Sequence, residues 1–216
     1  MSTKNSLIII VLLLALTMGV SLILGNQMPE QMASHWNAAG QVDGYSDKNT
    51  ALFLVPGMEL GLVVLLLGVP MIDPRKENIQ KFRPLYNVFV IVTLGFMSYI
   101  HLLTLLWNLG WKFDLVVWMI PAFAVLLYFA GALMGKAQSN WFIGIRTPWT
   151  LSDNRVWEQT HRIGGIAFKV CGAISLLGLI FPRLAIWFLL IPLLGTAFGL
   201  IFYSYLYYRS LHKGMA

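Results

Sequence analysis

Three groups of residues in this sequence have the types and spacing to do chemistry. Glu59 and His101 stand inside long apolar runs, where an unpaired charge costs at least ~2.5–3.5 kcal/mol at the centre of a bilayer. A carboxyl and an imidazole so placed suit a buried pair, or a proton or ligand site. His35, Asp43, Asp47 and Glu30 share one polar segment, Gly25 to Thr50, and are all metal-ligating types. Their spacing matches no helical His pair or other ligand pattern that carries a mechanism. The segment therefore reads as a solvated loop, and neither a metal nor a cofactor is expected. The third group is NWFIGIRTPWT, Asn140 to Thr150, which holds two tryptophans, an arginine, a glycine and a Thr-Pro pair. No HExxH and no G-x-S-x-G occurs, and His101 has no aspartate or cysteine in its own run. An enzyme is not expected.

The elements that position these groups are membrane spans. Of 216 residues, 58% are hydrophobic and 11% charged, with a mean hydropathy of +0.72; soluble domains carry roughly 25% charged residues. A helix crossing the ~30 Å hydrocarbon layer needs about 20 apolar residues. Six windows qualify: Leu7–Leu24, Ala51–Ile72, Leu85–Trp107, Leu115–Gly135, Gly164–Phe181 and Leu184–Tyr208. The first lacks a cleavage site after it and reads as a retained span rather than a signal peptide. With the amino terminus in the cytoplasm, the inner segments hold Lys4, Arg75, Lys76, Lys81, Arg83, Lys136, Arg146, Arg155, Arg162, Lys169, Arg209 and Lys213. The outer segments hold only Lys48, Lys112 and Arg183. That bias predicts an all-α six-transmembrane bundle with both termini cytoplasmic. The net charge of +6 thus reflects topology and anionic headgroups, not a nucleic-acid face. Cys171 is the one cysteine, so no disulfide forms within the chain.

In this topology Glu59 lies about 12 Å and His101 about 9 Å from the outer ends of their helices, so the two pair if their faces meet. The outer loop has turn signals at Pro29, Gly40 and Gly44, with Asp43-Gly44 suited to a tight reversal. Its Trp36 and Tyr45 belong at the headgroup level. In the inner loop, Lys136 to Ile163, Pro148 biases Thr147 towards an extended conformation. The central stretch is therefore expected to be non-helical. Ser152 or Asp153 then caps a short interfacial helix from about Asn154 through Arg162, with Trp157 and His161 on one face. Arg146, Arg155 and Arg162 suit lipid phosphates or a partner's carboxylates. Gly57/Gly61, Gly131/Gly135 and Gly195/Gly199 have the spacing that lets helices approach closely.

An interfacial anchor explains the aromatics and arginines of the inner loop, but not the fixed order of Gly, Arg, Thr, Pro and Trp. Here the sequence resembles the SdpI family of bacterial membrane immunity proteins. The resemblance is carried by Asn140, Gly144, Arg146, Thr147, Pro148, Trp149, Thr150, Trp157, His161 and Arg162. The outer stretch HWNAAGQVDGYSDK, with His35, Trp36, Asn37, Gly40 and Asp43, looks like the amino-terminal module of unknown function that often accompanies this family. Two modules are expected, residues 1–110 with spans one to three and residues 111–216 with spans four to six.

The resemblance implies a multi-pass protein of the bacterial cytoplasmic membrane that confers resistance to a secreted membrane-active peptide. The family's best-known member also senses its toxin and holds a cytoplasmic repressor at the membrane. The implied partners are membrane lipids, a peptide toxin on the outer face and a repressor-type protein on the inner face, without direct contact to nucleic acid. Signal transduction and response to a toxic substance follow from the same likeness. The competing reading is a small proton-coupled or substrate transporter using Glu59 and His101. Against it, no inverted repeat and no corresponding pair of broken helices is evident.

Overall fold

The computed structural model of the protein describes residues 1–213. In chain order the first half comprises α1 (Thr3–Leu24), β1 (Gln31–Trp36), β2 (Val42–Asp47), α2 (Lys48–Ile72), α3 (Lys76–Lys81) and α4 (Arg83–Asn108). The second comprises α5 (Leu115–Met134), α6 (Pro148–Ser152), α7 (Asn154–Ser175) and α8 (Ala185–Leu211). Six helices are long and apolar enough to cross a membrane: Thr3–Gln27, Lys48–Ile72, Arg83–Asn108, Leu115–Met134, Asn154–Leu179 and Pro182–Leu211. The chain is a multi-pass membrane protein. Six crossings bring α8 back to the side where α1 begins, here termed the terminal end. The β1–β2 hairpin lies at the opposite, hairpin end.

Aspartates set where several helices start. Asp47 opens α2 by accepting from Thr50 N–H at 3.0 Å, and Asp114 opens α5 by accepting from Val117 N–H at 3.1 Å. Asp153 opens α7 by accepting from Arg155 N–H at 2.8 Å. Each carboxylate satisfies a backbone donor that has no partner within the helix, next to the positive end of the helix dipole. The hydrogen bonds from Thr50 and Arg155 hold the carboxyls of Asp47 and Asp153 below the usual carboxylate range.

Two segments differ from the sequence expectation. The outer loop folds into an antiparallel hairpin whose reversal runs from Asn37 to Gln41, not at Asp43-Gly44. Asn37 makes that turn by accepting from the N–H groups of Ala39 and Gln41, and Gly40 supplies φ +73°. Gly44 instead lies in β2 against His35, where a Cβ would come within 2.9 Å of the His35 Cβ. Secondly, α7 runs without a break from Asn154 into the membrane, so the short helix expected over Asn154–Arg162 is the start of span five itself. The separate short helix of this loop is α6, with Thr147 extended as its N-cap and Pro148 in its first turn. The proline that forbids helix at Thr147 begins one immediately afterwards.

The packing of α7 on α5 depends on glycines. A Cβ on Gly165 would lie 2.8 Å from Gly131 O and 2.9 Å from Gly135 Cα, and one on Gly172 would lie 2.9 Å from Ala124 O. Helices α5 and α7 therefore meet backbone to backbone. By contrast, nothing lies within 4 Å of a Cβ built on Gly57, Gly61, Gly195 or Gly199. One of the three small-residue pairs thus works inside the chain. A buried cluster at the terminal end joins Ile10, Val69, Ile79, Phe82 and Tyr86 to Leu133, Ala137 and Trp157. A second, at the hairpin end, seats Met28 and Met32 on Ala51, Leu52 and Leu105. Gly165→Leu is expected to cost at least the ~1–3 kcal/mol of overpacking and to lower the detergent melting temperature measurably. Gly57→Leu should leave it unchanged.

Candidate functional site

The Asn140–Arg162 segment is a knot of hydrogen bonds tied at His161. Trp157 is 1% exposed, and its indole N–H donates to Ala137 O at 2.8 Å. One turn along α7, the His161 ring stacks on that indole with centroids 3.9 Å apart. His161 Nδ1 lies 2.8 Å from Trp157 O, and Ile145 N–H reaches Nε2 at 3.0 Å. A carbonyl needs a donor and an N–H needs an acceptor, so the ring is the neutral Nδ1–H tautomer. Gly144, at φ +105°, lies against the same ring, and a Cβ there would overlap Nε2. Both the backbone angle and the ring exclude any side chain at this position.

The remaining motif residues close the loop on itself. Asn140 is fully buried; its Oδ1 accepts from Phe142 and Ile143 N–H, and its amide donates to the carbonyls of Gln138 and Ile143. Thr147 and Thr150 form a reciprocal capping box, and the Thr150 hydroxyl lies 2.8 Å from Ile145 O. Trp149 donates its indole N–H to Ser204 on α8 and meets Tyr205 edge-on. Pro148 is exposed. Arg146 is exposed and spends one N–H on Trp141 O, while Arg162 is exposed beside Gln159. The two guanidinium groups are the charged parts of the motif left facing outward.

The neighbouring loop between α2 and α4 grips this knot. Asp73 is 2% exposed and accepts from Arg75 N–H and, at 2.9 Å, from Trp141 N–H. Arg75 donates to the Ser139 hydroxyl and to Leu151 O, and the Asn78 amide donates to Ser139 O at 2.8 Å. Sequence reading passed over Asp73, Arg75, Asn78 and Ser139. The available signal was an aspartate directly after an apolar run, ahead of Pro74. A polar recess of about 120 Å³ opens beside this contact, lined by Asn78, Lys81, Gln138, Ser139, Asn154 and Glu158 among others.

At the hairpin end, the five singled-out residues divide between building the hairpin and facing out. Asn37 and Gly40 make the turn, and Gly40 lies against the α5 cap, where a Cβ would come within 2.6 Å of Asp114 Oδ1. His35 and Asp43 pair on the exposed surface. Trp36 packs edge-on against Trp107, and its indole N–H is enclosed without an acceptor. The Asn108 side chain completes the seat by pairing with both N–H and C=O of Ala33. Between hairpin, α4, α5 and α8 lies a mostly apolar cavity of about 460 Å³, with Trp36, Thr104, Met119, Phe123, Ile186 and Leu189 in its wall. Among the described residues, no group of three or more His, Cys, Asp or Glu side chains gathers to hold a metal.

Glu59 and His101 do not bond to each other. Glu59 Oε1 accepts from the Ser98 hydroxyl at 2.8 Å, and His101 Nε2 lies 2.7 Å from the Ser21 hydroxyl. Each bonds instead to a hydroxyl side chain, Glu59 to one from α4 and His101 to one from α1.

The comparisons with known proteins bear on both ends. Residues 136–205 match the SdpI/YfhL protein family, and residues 12–60 match a domain of unknown function, DUF1648. Immunity protein SdpI of Bacillus subtilis (strain 168) is 26% identical over 206 residues, which is 95% of this chain and 97% of that protein. The chain is thus similar to the SdpI family, over residues 136–205 by the family's own pattern and along nearly its whole length by this relative. No solved structure matches it.

The SdpI-family segment contains the whole knot, from Asn140 through Arg162, together with Ser204, the α8 partner of Trp149. It leaves out Asp73, Arg75 and Asn78, which grip the knot from the other half of the chain. The DUF1648 segment takes in the hairpin, Ser21 and Glu59. Gly144→Ala should destabilise the protein, and His161→Ala should cost the ~1–3 kcal/mol of an unpaired buried N–H. Both would appear as lower melting temperatures in detergent, whereas Arg146→Ala should leave the melt within about 0.5 kcal/mol of the original.

Proposed function

We propose that the protein is a membrane immunity protein that protects its cell from a secreted membrane-active peptide. The observation that carries this reading is the likeness to Immunity protein SdpI along nearly the whole of both chains. In this reading the hairpin end faces outward and meets the peptide, through the exposed His35–Asp43 pair and the apolar cavity behind Trp36. The terminal end faces the cytoplasm, as the distribution of Lys and Arg favours. There Arg146 and Arg162 present forked donors that suit the carboxylates of a regulator protein. The two surfaces sit at opposite ends of one bundle, as a receptor that passes a signal across a membrane requires. Resistance would rest on the hairpin end, and any signalling on the guanidinium groups beyond the knot.

Orientation is tested by thiol labelling in a Cys171→Ala background. An impermeant maleimide added to intact cells should modify Ala38→Cys and spare Ser152→Cys. Function is tested by deleting and overproducing the protein in its host, then challenging with membrane-depolarising peptides and following survival and a potential-sensitive dye. Deletion should sensitise and overproduction protect; unchanged sensitivity in both strains would overturn the immunity reading. Combined Arg146→Ala and Arg162→Ala should weaken a regulator's capture by about tenfold or more at unchanged protein level.

A further inference from the structure

The hydroxyls bonded to Glu59 and His101 belong to a two-rung polar seam where α1, α2 and α4 meet. In one rung the Thr17 hydroxyl lies 2.8 Å from that of Ser98, which donates to Glu59 Oε1. In the other, His101 Nε2 meets the Ser21 hydroxyl, which donates to Leu52 O at 2.8 Å. Thr17 and Ser21 are four residues apart and Ser98 and His101 three, so the rungs are separated by about one helical turn, roughly 5 Å. Glu59, Ser21, His101 and Thr17 are at most 3% exposed. A cavity of about 290 Å³ runs alongside, with Thr17, Ser98, Tyr99 and His101 in its wall.

Each rung ends in one polar atom with no partner, Glu59 Oε2 and His101 Nδ1. Since Ser21 spends its proton on Leu52 O, His101 Nε2 must donate to Ser21, which leaves Nδ1 as a bare acceptor. Among the described residues, no cation bonds to Glu59. Lys48, at the start of α2, pairs with Glu30. Lys4 on α1 and Arg83 on α4 stand more than three helical turns away towards the terminal end, roughly 20 Å from the seam. The hydroxyls of Tyr86 and Tyr99 on α4 are taken up by Leu66 O and Trp118 O. Helix α5, which packs on α4, carries no Asp, Glu, Lys, Arg or His. A carboxyl in this setting avoids the cost of an unpaired charge by keeping its proton. Donor and acceptor are then complementary, and one water is the natural bridge between rungs about a helical turn apart.

We propose that this seam is a proton-binding site, in which Glu59 Oε2 holds one exchangeable proton that passes through a bridging water to His101 Nδ1. The O–H bond of Glu59 breaks as an N–H bond forms on His101, converting a neutral pair into a carboxylate–imidazolium pair with no change in net charge. The seam shares Leu52 with the seat of the hairpin, through Ser21 on one side and Met28 and Met32 on the other.

The test is infrared spectroscopy of the full chain reconstituted in phosphatidylcholine vesicles. The other three glutamates, Glu30, Glu77 and Glu158, are exposed. At neutral pH the protein should therefore show one glutamic-acid carbonyl stretch, absent from Glu59→Gln, sensitive to H/D exchange and moved by His101→Gln. Spectra identical for the wild type and Glu59→Gln would mean that Glu59 carries no proton, overturning the proposal. A band unmoved by His101→Gln would overturn the link to His101. Should Glu59→Gln fail to fold, Ser98→Ala replaces it: removing the bond to Oε1 must shift the band, and a band that stays put is not that of Glu59.

Discussion

The terminal end of the protein is assembled on one imidazole. His161 is fixed by stacking on Trp157 and by the bond from Nδ1 to Trp157 O, so the lone pair on Nε2 points in a set direction. The loop must bring a backbone N–H to that lone pair, and Ile145 does so only if the preceding residue lies flat against the ring. That requirement accounts for Gly144. The chain then leaves extended through Thr147, as Pro148 demands, and turns into α6, where Thr150 closes the cap and Trp149 reaches Ser204. The order Gly, Arg, Thr, Pro, Trp, Thr is thus a sequence of geometric obligations, with Arg146 turned outward between them. Protonation of His161 would remove the acceptor for Ile145 and leave two donors facing each other.

Much of the architecture was legible because a bilayer permits few solutions. With no water in the hydrocarbon layer, backbone groups must be paired within each segment, so long apolar runs become helices. Asp153 as a cap and Thr147 as an extended residue were equally readable, since both follow from local stereochemistry. Long-range pairing was not. Asp43-Gly44 has the composition of a reversal, yet Asn37 offers its side chain to two backbone donors and takes the turn away from it. Glu59 and His101 invite a direct pair by charge and depth, but nothing along the chain announces that Ser98 and Ser21 are their partners instead. The grip of Asp73 and Arg75 on the Asn140–Arg162 knot was invisible for the same reason: its partners lie more than sixty residues away in the chain.

The two polar clusters obey one rule and reach opposite outcomes. In the knot, the amide of Asn140, both nitrogens of His161, the indoles of Trp149 and Trp157 and the hydroxyl of Thr150 all find partners. The Thr160 hydroxyl, one turn from Trp157, is the exception in this segment, buried without a partner among the described residues; the satisfied groups around His161 rigidify their surroundings. Recognition must then come from what the network holds outward, the guanidinium groups. In the seam, each rung stops one bond short. An unsatisfied polar atom is costly in hydrocarbon, and its persistence marks a place where a proton or a water completes the structure. The terminal end is therefore a rigid platform, while the three-helix junction below the hairpin has an unfinished interior.

This contrast bears on how one end of the bundle would influence the other. Coupling between distant sites needs an element with two discrete arrangements, biased differently by each site. The α5–α7 contact is a poor candidate, because at Gly131, Gly165 and Gly172 the two backbones meet directly, with no side chain between them to repack. Contacts among α1, α2 and α4 include, besides apolar packing, hydroxyl groups that exchange acceptors by rotating about a single bond. The Thr17 hydroxyl already has two acceptors in reach, Leu13 O at 3.0 Å and Ser98 at 2.8 Å. In the other rung the Ser21 hydroxyl holds Leu52 O, so a rearrangement of that hydroxyl would reach the seat of the hairpin and α2. Helix α2 ends at Asp73, whose carboxylate holds Trp141 of the knot. The path from hairpin to knot with the least steric resistance therefore runs along α2, through the unfinished seam, and bypasses the α5–α7 pair.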